Sequence, residues 1–206
     1  NGLGDEPLSE CRKVTSIALV LRAFEDDDLT HIDESVDPCR DLLALDQELK
    51  VHDINIIEEV IHIQEKNKIP SKEVAHMRDT AYKAWAWLNG VEEYGEPKPR
   101  ARERNAIRKK LNDGLQVFRH LSGKALRLAR WSKREAEALT ELGLLTAKPV
   151  ICILNLSARD YNRKLDGFTE KVKECLVGLG GGPLVRYSCA FEERLIKLGM
   201  EPKKLK

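Results

Sequence analysis

An asparagine that directly follows a short apolar run is the feature of this sequence most informative about chemistry. The apolar run extends from Val150 to Leu154, is entered through Pro149 and ends at Asn155. Such a short run, rich in β-branched residues, predicts a strand buried on both faces. Ligands of open α/β sheets bind at the carboxyl ends of the strands, and an amide side chain offers both a donor and an acceptor. We therefore expect Asn155 to contact the edge of a ligand, as asparagines so placed in nucleotide-binding folds contact the base.

Two further segments join the first, and together the three resemble a known family. Residues 145–157 read LTAKPVICILNLS and are similar to the base-recognition motif of the Obg-like ATPases, the YchF-type subfamily of the P-loop GTPases. Residues 21–31, LRAFEDDDLTH, followed by SVDP at 35–38, are similar to a signature of that subfamily. Residues 184–190, LVRYSCA, resemble its third base-side loop. The order and spacing agree, and the resemblance covers roughly residues 1–35 and 132–206.

The resemblance implies a way of reading the base. The Asn155 side chain would contact the base edge, and the Leu156 backbone would contact the adenine amino group. Related GTPases have N-K-x-D here, and its Asp pairs with two donors of guanine. Residues 155–158 of this chain read Asn-Leu-Ser-Ala, so that carboxylate is absent, and Ala158 also differs from the Glu usual in the family. We expect ATP to be preferred over GTP; the alternative is that Asn155 only caps the end of the strand.

The resemblance also assigns residues beside the base, with structural alternatives for each. Phe24 would lie next to the base, where an aromatic ring can stack, or it is a core residue that anchors its loop. Ser188, Cys189 and Ala190 would offer backbone groups to the base and ribose, with Cys189 replacing the usual Gly, or they form an ordinary strand-to-helix turn. No catalytic residue and no metal ligand is predicted in this chain.

The phosphate-binding motif of the family is not found in this sequence. A P-loop requires G-x-x-x-x-G-K-[ST], because its backbone amides hold the phosphates while its Lys and hydroxyl serve the β/γ-phosphates and magnesium. The nearest string, at 122–125, has Ala125 in place of the hydroxyl and Phe118 in place of the first Gly. By the resemblance, we expect the chain to begin after the phosphate-binding half and to end before the family's C-terminal domain. Magnesium-dependent ATP hydrolysis would then belong to a complete protein.

A basic block supports a rival hypothesis from another functional class. Residues 98–134 contain 13 Lys or Arg and two acidic residues, in a chain whose net charge is +1. Basic residues that recur at helical spacing would form a positively charged face, which would attract RNA phosphates. The resemblance also points to the ribosome as a partner. The alternatives are a non-catalytic RNA- or ribosome-binding module and a solvated helix surface. The residues that we expect to contact RNA are Arg102, Arg104, Arg108, Lys109 and Lys110.

The elements that must position these residues form an α/β pattern interrupted by helices. Strands are predicted at 16–21, 150–154 and 184–187, and apolar spacings of three and four residues predict helices between the first two strands. We therefore predict an α/β fold, a partial P-loop GTPase-type parallel sheet with an inserted all-helical arm. Its domains would be residues 1–35 and 144–206 for the nucleotide-binding core and 36–143 for the helical insertion. Predicted helices cover residues 5–13, 36–69, 71–88, 101–111, 115–129, 132–143, 168–177 and 192–198, with 36–69 as one helix or a helix pair. Asp5, Ser71 and Ser132 are predicted to begin their helices, Ser132 in a capping box with Glu135.

The composition of the chain limits the classes of protein to which it can belong. The chain has 206 residues, 42% of them hydrophobic, which is enough for one core and a smaller satellite. Five Cys without a C-x-x-C pair suit a reducing compartment rather than a disulfide framework. No apolar run approaches the roughly 20 residues of a membrane-spanning helix, and no signal peptide is visible. We expect a cytoplasmic monomer that binds nucleotide.

Overall fold

The computed structural model of the chain describes residues 4–26, 35–66, 71–90, 123–163 and 166–199. These residues form a mixed α/β structure with a three-stranded parallel sheet, as the sequence predicts. Two short 3-10 turns, Leu126–Leu128 and Leu145–Ala147, lie among the helices. The helices and strands in chain order are α1 (Asp5–Lys13), β1 (Ile17–Ala23), α2 (Pro38–Glu65), α3 (Lys72–Leu88), α4 (Lys133–Glu141), β2 (Val150–Leu156), α5 (Ala158–Arg163), α6 (Thr169–Gly178), β3 (Leu184–Tyr187) and α7 (Cys189–Lys197).

The chain divides into two compact units. The helical unit comprises Asn1–Ile17 and Leu45–Pro149, and the sheet unit comprises Ala18–Ala44 and Val150–Lys206. The division of the sequence at residues 35 and 143 stays a prediction. None of the described helices is long and apolar enough to cross a membrane.

Within the sheet, β2 lies between β1 and β3. β2 and β3 run parallel, with Asn155 beside Tyr187 at their carboxyl ends. The prediction that 150–154 is buried on both faces is wrong, because burial alternates along β2 and Ile151 is 39% exposed. An apolar run does not reveal this alternation, since the exposed positions also carry apolar side chains. The strand also continues past the apolar run and ends at Leu156 rather than before Asn155.

The first strand is likewise buried on one face only. Leu19 and Leu21 are buried, whereas Val20, between them, is 60% exposed. The observed strand β1 starts one residue later and ends two residues later than the predicted strand at 16–21. The alternation is what a period of two residues produces when a single face is covered.

The core of the helical unit forms between α2 and α3. Ile54, Ile57 and Ile61 of α2 recur at three- and four-residue spacings and belong to one buried cluster with Trp85 and Leu88 of α3. This spacing places apolar side chains on one helical face. α2 is one 28-residue helix, so the simpler of the two predicted arrangements, a helix or a helix pair, is confirmed.

Polar caps fix the starts of two helices where the sequence predicts them. Ser71 accepts a hydrogen bond from the Val74 N–H at the start of α3. Ser132 and Glu135 form a reciprocal capping box at the start of α4, in which each side chain accepts from the backbone N–H of the other. The predicted cap of α1 is wrong: Asp5 is already helical, and Gly4, with a φ of 80°, precedes it.

The predicted helix 115–129 is wrong over its described part, residues 123–129. Only the 3-10 turn Leu126–Leu128 forms there. The Trp87 indole N–H donates to the Ala125 carbonyl, and the Trp131 indole N–H donates to the Leu126 carbonyl. Gly123 packs so closely on the end of α3 that a Cβ would lie 2.1 Å from the Trp87 carbonyl oxygen. Tertiary contacts therefore determine this backbone more than helical propensity does.

A buried carboxylate joins α2 to the 3-10 turn Leu145–Ala147. Asp53 is fully buried and accepts hydrogen bonds from the Leu145 N–H at 2.7 Å, the Thr146 N–H at 2.7 Å and the Thr146 hydroxyl at 2.6 Å. A buried charge is tolerated when donors satisfy it in this way. Asp53 thus anchors a turn that lacks a regular helical hydrogen-bond ladder.

We predict that replacing Gly123 with Ala destabilises the helical unit. The added methyl group would meet backbone rather than a flexible side chain, and overpacking of this kind costs about 1–3 kcal/mol. Denaturant unfolding of Gly123→Ala measures the loss. Gly178→Ala is the matched control, because a Cβ there has no heavy atom within 4 Å. Equal unfolding free energies for the two variants would contradict the assigned close contact.

We also predict an acid-dependent contribution from Glu135. Burial acts to raise its pKa, but hydrogen bonds from Ser132 and from the Lys83 ammonium outweigh burial, so the pKa is lowered in the folded chain. The pair therefore stabilises the fold fully above the unfolded pKa of about 4.3. The contribution is lost as the pH falls through the lower, folded pKa.

The measurement for Glu135 is the free energy of unfolding from neutral pH to about pH 3, across the pKa of a model Glu side chain near 4.3. Glu135→Gln should show a shallower loss of stability in acid than the natural chain. Glu137→Gln, on the exposed face of the same helix, is the control and should follow the natural chain. An unchanged acid profile in Glu135→Gln would contradict the prediction.

Candidate functional site

The carboxyl ends of the three strands bring the predicted site segments to one edge of the sheet. Phe24 follows β1, Asn155 and Leu156 end β2, and residues 188–190 follow β3. Because parallel strands end at the same edge, all three segments lie where open α/β sheets bind ligands. The sequence spacing alone does not bring them together; the strand pairing does.

Asn155 connects two of these segments directly. Its Oδ1 accepts a hydrogen bond of 3.1 Å from the Cys189 N–H, the first backbone amide of α7. The acceptor half of the amide therefore engages the protein. The two donor hydrogens on Nδ2 take no part in this contact, so they are the group that Asn155 could offer to a ligand.

Leu156 and Ala158 are buried, whereas their neighbour Ser157 forms a tight turn. Leu156 is only 1% exposed as a whole residue, so its side chain belongs to the core of the sheet unit. The Ser157 hydroxyl accepts from the Asp160 N–H at 3.1 Å and donates to the Asp160 Oδ2 at 2.7 Å. This local pair starts α5, which the sequence does not predict. Ala158 therefore places a buried methyl group where related GTPases place a carboxylate.

Ser188 starts α7. Its hydroxyl accepts from the Phe191 N–H at 3.3 Å, and the residue is buried. The final helix therefore begins at Cys189 rather than at the predicted position 192, because Ser188 caps it. Cys189 and Ala190 are exposed in the first turn. Residues 188–190 therefore form the strand-to-helix turn that the sequence offers as the alternative to a ligand contact. The same turn also places backbone groups at the candidate edge.

Phe24 lies under a cation. The Arg22 guanidinium is 5.0 Å from the centre of the Phe24 ring, and its Nε donates to the Phe24 carbonyl at 3.0 Å. The ring is half-buried, which is intermediate between a core residue and an open stacking surface. Glu25 and Asp26, which belong to the acidic run 25–28, are exposed, as in a solvated loop. Asp27 and Asp28 lie outside the described residues.

The sequence does not predict an ion pair between Arg186 and Asp166, which lies close to the candidate edge. The Arg186 Nη2 donates to Asp166 Oδ2 at 2.9 Å and to the Asp160 carbonyl at 3.3 Å. Asp166 also accepts from the Phe168 and Thr169 N–H groups. The Asp-x-x-Thr string is a cap signal that could have indicated the role of Asp166. No sequence signal identifies Arg186 as its partner, because strand pairing places it there.

The electrostatics of this pair favour the ionised carboxylate. Burial acts to raise the pKa of Asp166, but the hydrogen bonds from Thr169 and Phe168 and the charge of Arg186 lower it overall. Its side chain is only 4% exposed. Asp166 is thus a buried anion whose charge is met by backbone amides and one guanidinium.

The residues predicted to contact RNA, Arg102, Arg104, Arg108, Lys109 and Lys110, lie outside the described residues. In the described part of the basic block, Arg127 is partly buried near Asp46. Burial lowers the pKa of its guanidinium, and the negative charge of Asp46 opposes that effect. Within the described ranges, no group of three or more His, Cys, Asp or Glu side chains could hold a metal ion. The exposed cations of the described block are Lys124, Arg130, Lys133 and Arg134.

Comparison with known proteins gives close relatives but no match to a family model. "Obg-like ATPase 1" of Oryza sativa subsp. indica is 36% identical over 197 residues, which cover 94% of this chain and 42% of the rice protein. "Obg-like ATPase 1" of Schizosaccharomyces pombe is 34% identical over 195 residues, covering 94% of this chain and 43% of that protein.

A solved structure agrees with these relatives. The YchF GTPase of Schizosaccharomyces pombe superposes with a TM-score of 0.72 and 29% sequence identity, covering 95% of this chain and 46% of that one. This likeness confirms the predicted α/β fold class. The chain spans less than half the length of the relatives it matches.

We predict that two cysteines of the sheet unit differ strongly in reactivity. Cys189 is exposed, whereas Cys152 is buried in β2, and burial raises the pKa of the Cys152 thiol to about 11. The thiolate is the reactive form, so iodoacetamide at pH 8 should modify Cys189 more than about tenfold faster than Cys152. Peptide mass spectrometry after timed labelling measures both rates. Labelling in urea, where both sites are open, is the control; equal rates in the folded chain would contradict the placement.

Proposed function

The chain belongs to the Obg-like ATPase family, and from that premise we propose that its sheet unit binds the base of a nucleoside triphosphate, with adenine preferred over guanine. The base would lie at the carboxyl edge of the sheet, beside Asn155 and Leu156. Phe24 would flank it, and the backbone of Ser188, Cys189 and Ala190 would close the other side. ATP is the nucleotide that we propose as ligand.

The observation that carries this proposal is the hydrogen bond from the Cys189 N–H to the Asn155 Oδ1. With the oxygen engaged, the Nδ2 hydrogens form the ligand-facing half of the amide. Both purines carry an acceptor at N7, so a donor at this position suits either base. Asn155 would therefore orient the purine without choosing between adenine and guanine.

The choice between bases would come from the neighbouring residues. Adenine presents an amino donor where guanine presents the O6 acceptor, and the Leu156 carbonyl could accept from that amino group. Guanine also needs acceptors for its ring N–H and its 2-amino group, and the buried Ala158 methyl offers none. A donor left unpaired costs about 1–3 kcal/mol. The arrangement thus supports adenine.

Hydrolysis is proposed only for a complete protein. The sequence has no G-x-x-x-x-G-K-[ST] string, and neither a magnesium ligand nor a catalytic residue is assigned among the described residues. Magnesium and the phosphates would be held by a P-loop segment of the kind that the resemblance implies. The role proposed for this chain is recognition of the base.

A second candidate function is binding of RNA or the ribosome. The observation that favours it is the exposure of Lys124, Arg130, Lys133 and Arg134, which continue the basic block into the described part of the chain. Such binding would weaken steeply with salt, since it releases counterions from phosphates, and it would be indifferent to Asn155. Charge reversal at Arg102, Lys109 and Lys110 should abolish it.

We predict that Asn155→Asp weakens ATP binding by this chain about tenfold, as expected for loss of a hydrogen bond worth about 1–3 kcal/mol. Aspartate keeps an oxygen that can accept from the Cys189 N–H, but it removes the Nδ2 donor. Calorimetry or a fluorescent ATP analogue measures the affinity. Asn162→Asp makes the same chemical change at an exposed position of α5 and should leave binding unchanged. Equal ATP affinities for Asn155→Asp and Asn162→Asp would overturn the proposed base contact.

A further inference from the structure

We propose that Arg186 is a positioning residue for base recognition, holding the segment after Asn155 against the strand that leads to Cys189. This inference rests on the proposed function of the carboxyl edge. Arg186 lies in β3 beside Leu154 of β2, one position before the Asn155 and Tyr187 pair. Its guanidinium contacts Asp160 and Asp166.

A single guanidinium nitrogen of Arg186 contacts two parts of one segment. Its Nη2 donates to the carbonyl of Asp160 in α5, at 3.3 Å, and to Oδ2 of Asp166, just before α6, at 2.9 Å. These two acceptors flank the chain between α5 and α6. The guanidinium therefore fixes α5 and the start of α6 relative to β3.

The Asp160 contact extends to the base-reading strand through Ser157. Asp160 and Ser157 share two hydrogen bonds, from hydroxyl to carboxylate and from backbone N–H to hydroxyl. Ser157 comes directly after Leu156 and lies two positions after Asn155. The path from Arg186 to the end of β2 therefore consists of hydrogen bonds and a short piece of backbone.

Arg186 is also connected to the other half of the Asn155 contact by the chain itself. Cys189 is three residues further along, after Tyr187 and the capping residue Ser188. The side chain of Arg186 holds the segment that continues from β2 into α5, while its backbone leads to Cys189. Arg186 therefore fixes both partners of the hydrogen bond that orients the Asn155 amide.

The anchor for Arg186 is strong because Asp166 is constrained independently. Backbone N–H groups of Phe168 and Thr169 and the Thr169 hydroxyl all donate to it. Removing the guanidinium would leave a buried carboxylate without its counter-charge, which is costly in a low-dielectric site. The segment would then shift to expose Asp166 to water.

The test compares Arg186→Met with Arg163→Met, which makes the same change on the exposed surface of α5. The first readout is hydrogen exchange of the Cys189 amide in the nucleotide-free chain, followed by NMR. Arg186→Met should accelerate this exchange on the order of tenfold relative to Arg163→Met. Arg186→Lys restores the positive charge and should give an intermediate rate, and it carries the test if Arg186→Met does not fold.

The second readout is ATP affinity in a double-mutant cycle with Asn155→Ala. Arg186→Met should weaken ATP binding on its own but have no further effect in the Asn155→Ala background, because both act through one contact. Additive effects would mean that Arg186 acts elsewhere and would overturn the proposal. Exchange of the Cys189 amide equal to that in Arg163→Met would also overturn it.

These outcomes separate the two claims. If Asn155→Asp leaves ATP binding unchanged, base recognition fails, whereas the Cys189 amide still reports whether Arg186 orients Asn155. If Asn155→Asp weakens ATP binding but Arg186→Met does not, base recognition stands and the positioning role fails.

Discussion

The hydrogen bond from the Cys189 N–H to the Asn155 side chain is the contact on which the candidate site depends. It joins the carboxyl end of β2 to the first turn of α7 and engages the acceptor half of the amide. Without it, Asn155 could present either its oxygen or its nitrogen to a ligand. With it, the ligand-facing half is a donor, which a purine nitrogen acceptor can meet.

Two buried carboxylates each order a turn, one in the helical unit and one in the sheet unit. Asp53 in the helical unit and Asp166 in the sheet unit each accept hydrogen bonds from two backbone amides and a threonine hydroxyl. In each case the carboxylate orders a turn beside a helix or strand. Hydrogen bonding of this kind allows a charge to be buried and makes its removal costly. These two turns thus take their shape from single acidic side chains rather than from propensity.

The sequence predicts those elements whose signals are local. The capping box of Ser132 and Glu135, the cap of Ser71 and the three strands are predicted from patterns within a few residues, and the structure has them. The predicted helix at 123–129 and the full burial of β2 are wrong, because indole donors and the covering of one sheet face are tertiary effects. The Arg186–Asp166 pair was missed for the same reason: strand pairing brings together residues 20 positions apart.

Similarity to the Obg-like ATPases is the reason for proposing that this edge of the sheet binds a nucleotide. The chain covers less than half of the length of these relatives. The central claim is that Asn155 and Cys189 form the base-reading corner and that adenine suits it better than guanine. An NMR titration of the ¹⁵N-labelled chain with ATP and with GTP tests it most directly. The account predicts that the Asn155 side-chain amide and the Cys189 backbone amide shift together, and at lower ATP than GTP concentrations. Shifts elsewhere in the chain with these two signals unmoved, or tighter response to GTP, would contradict it.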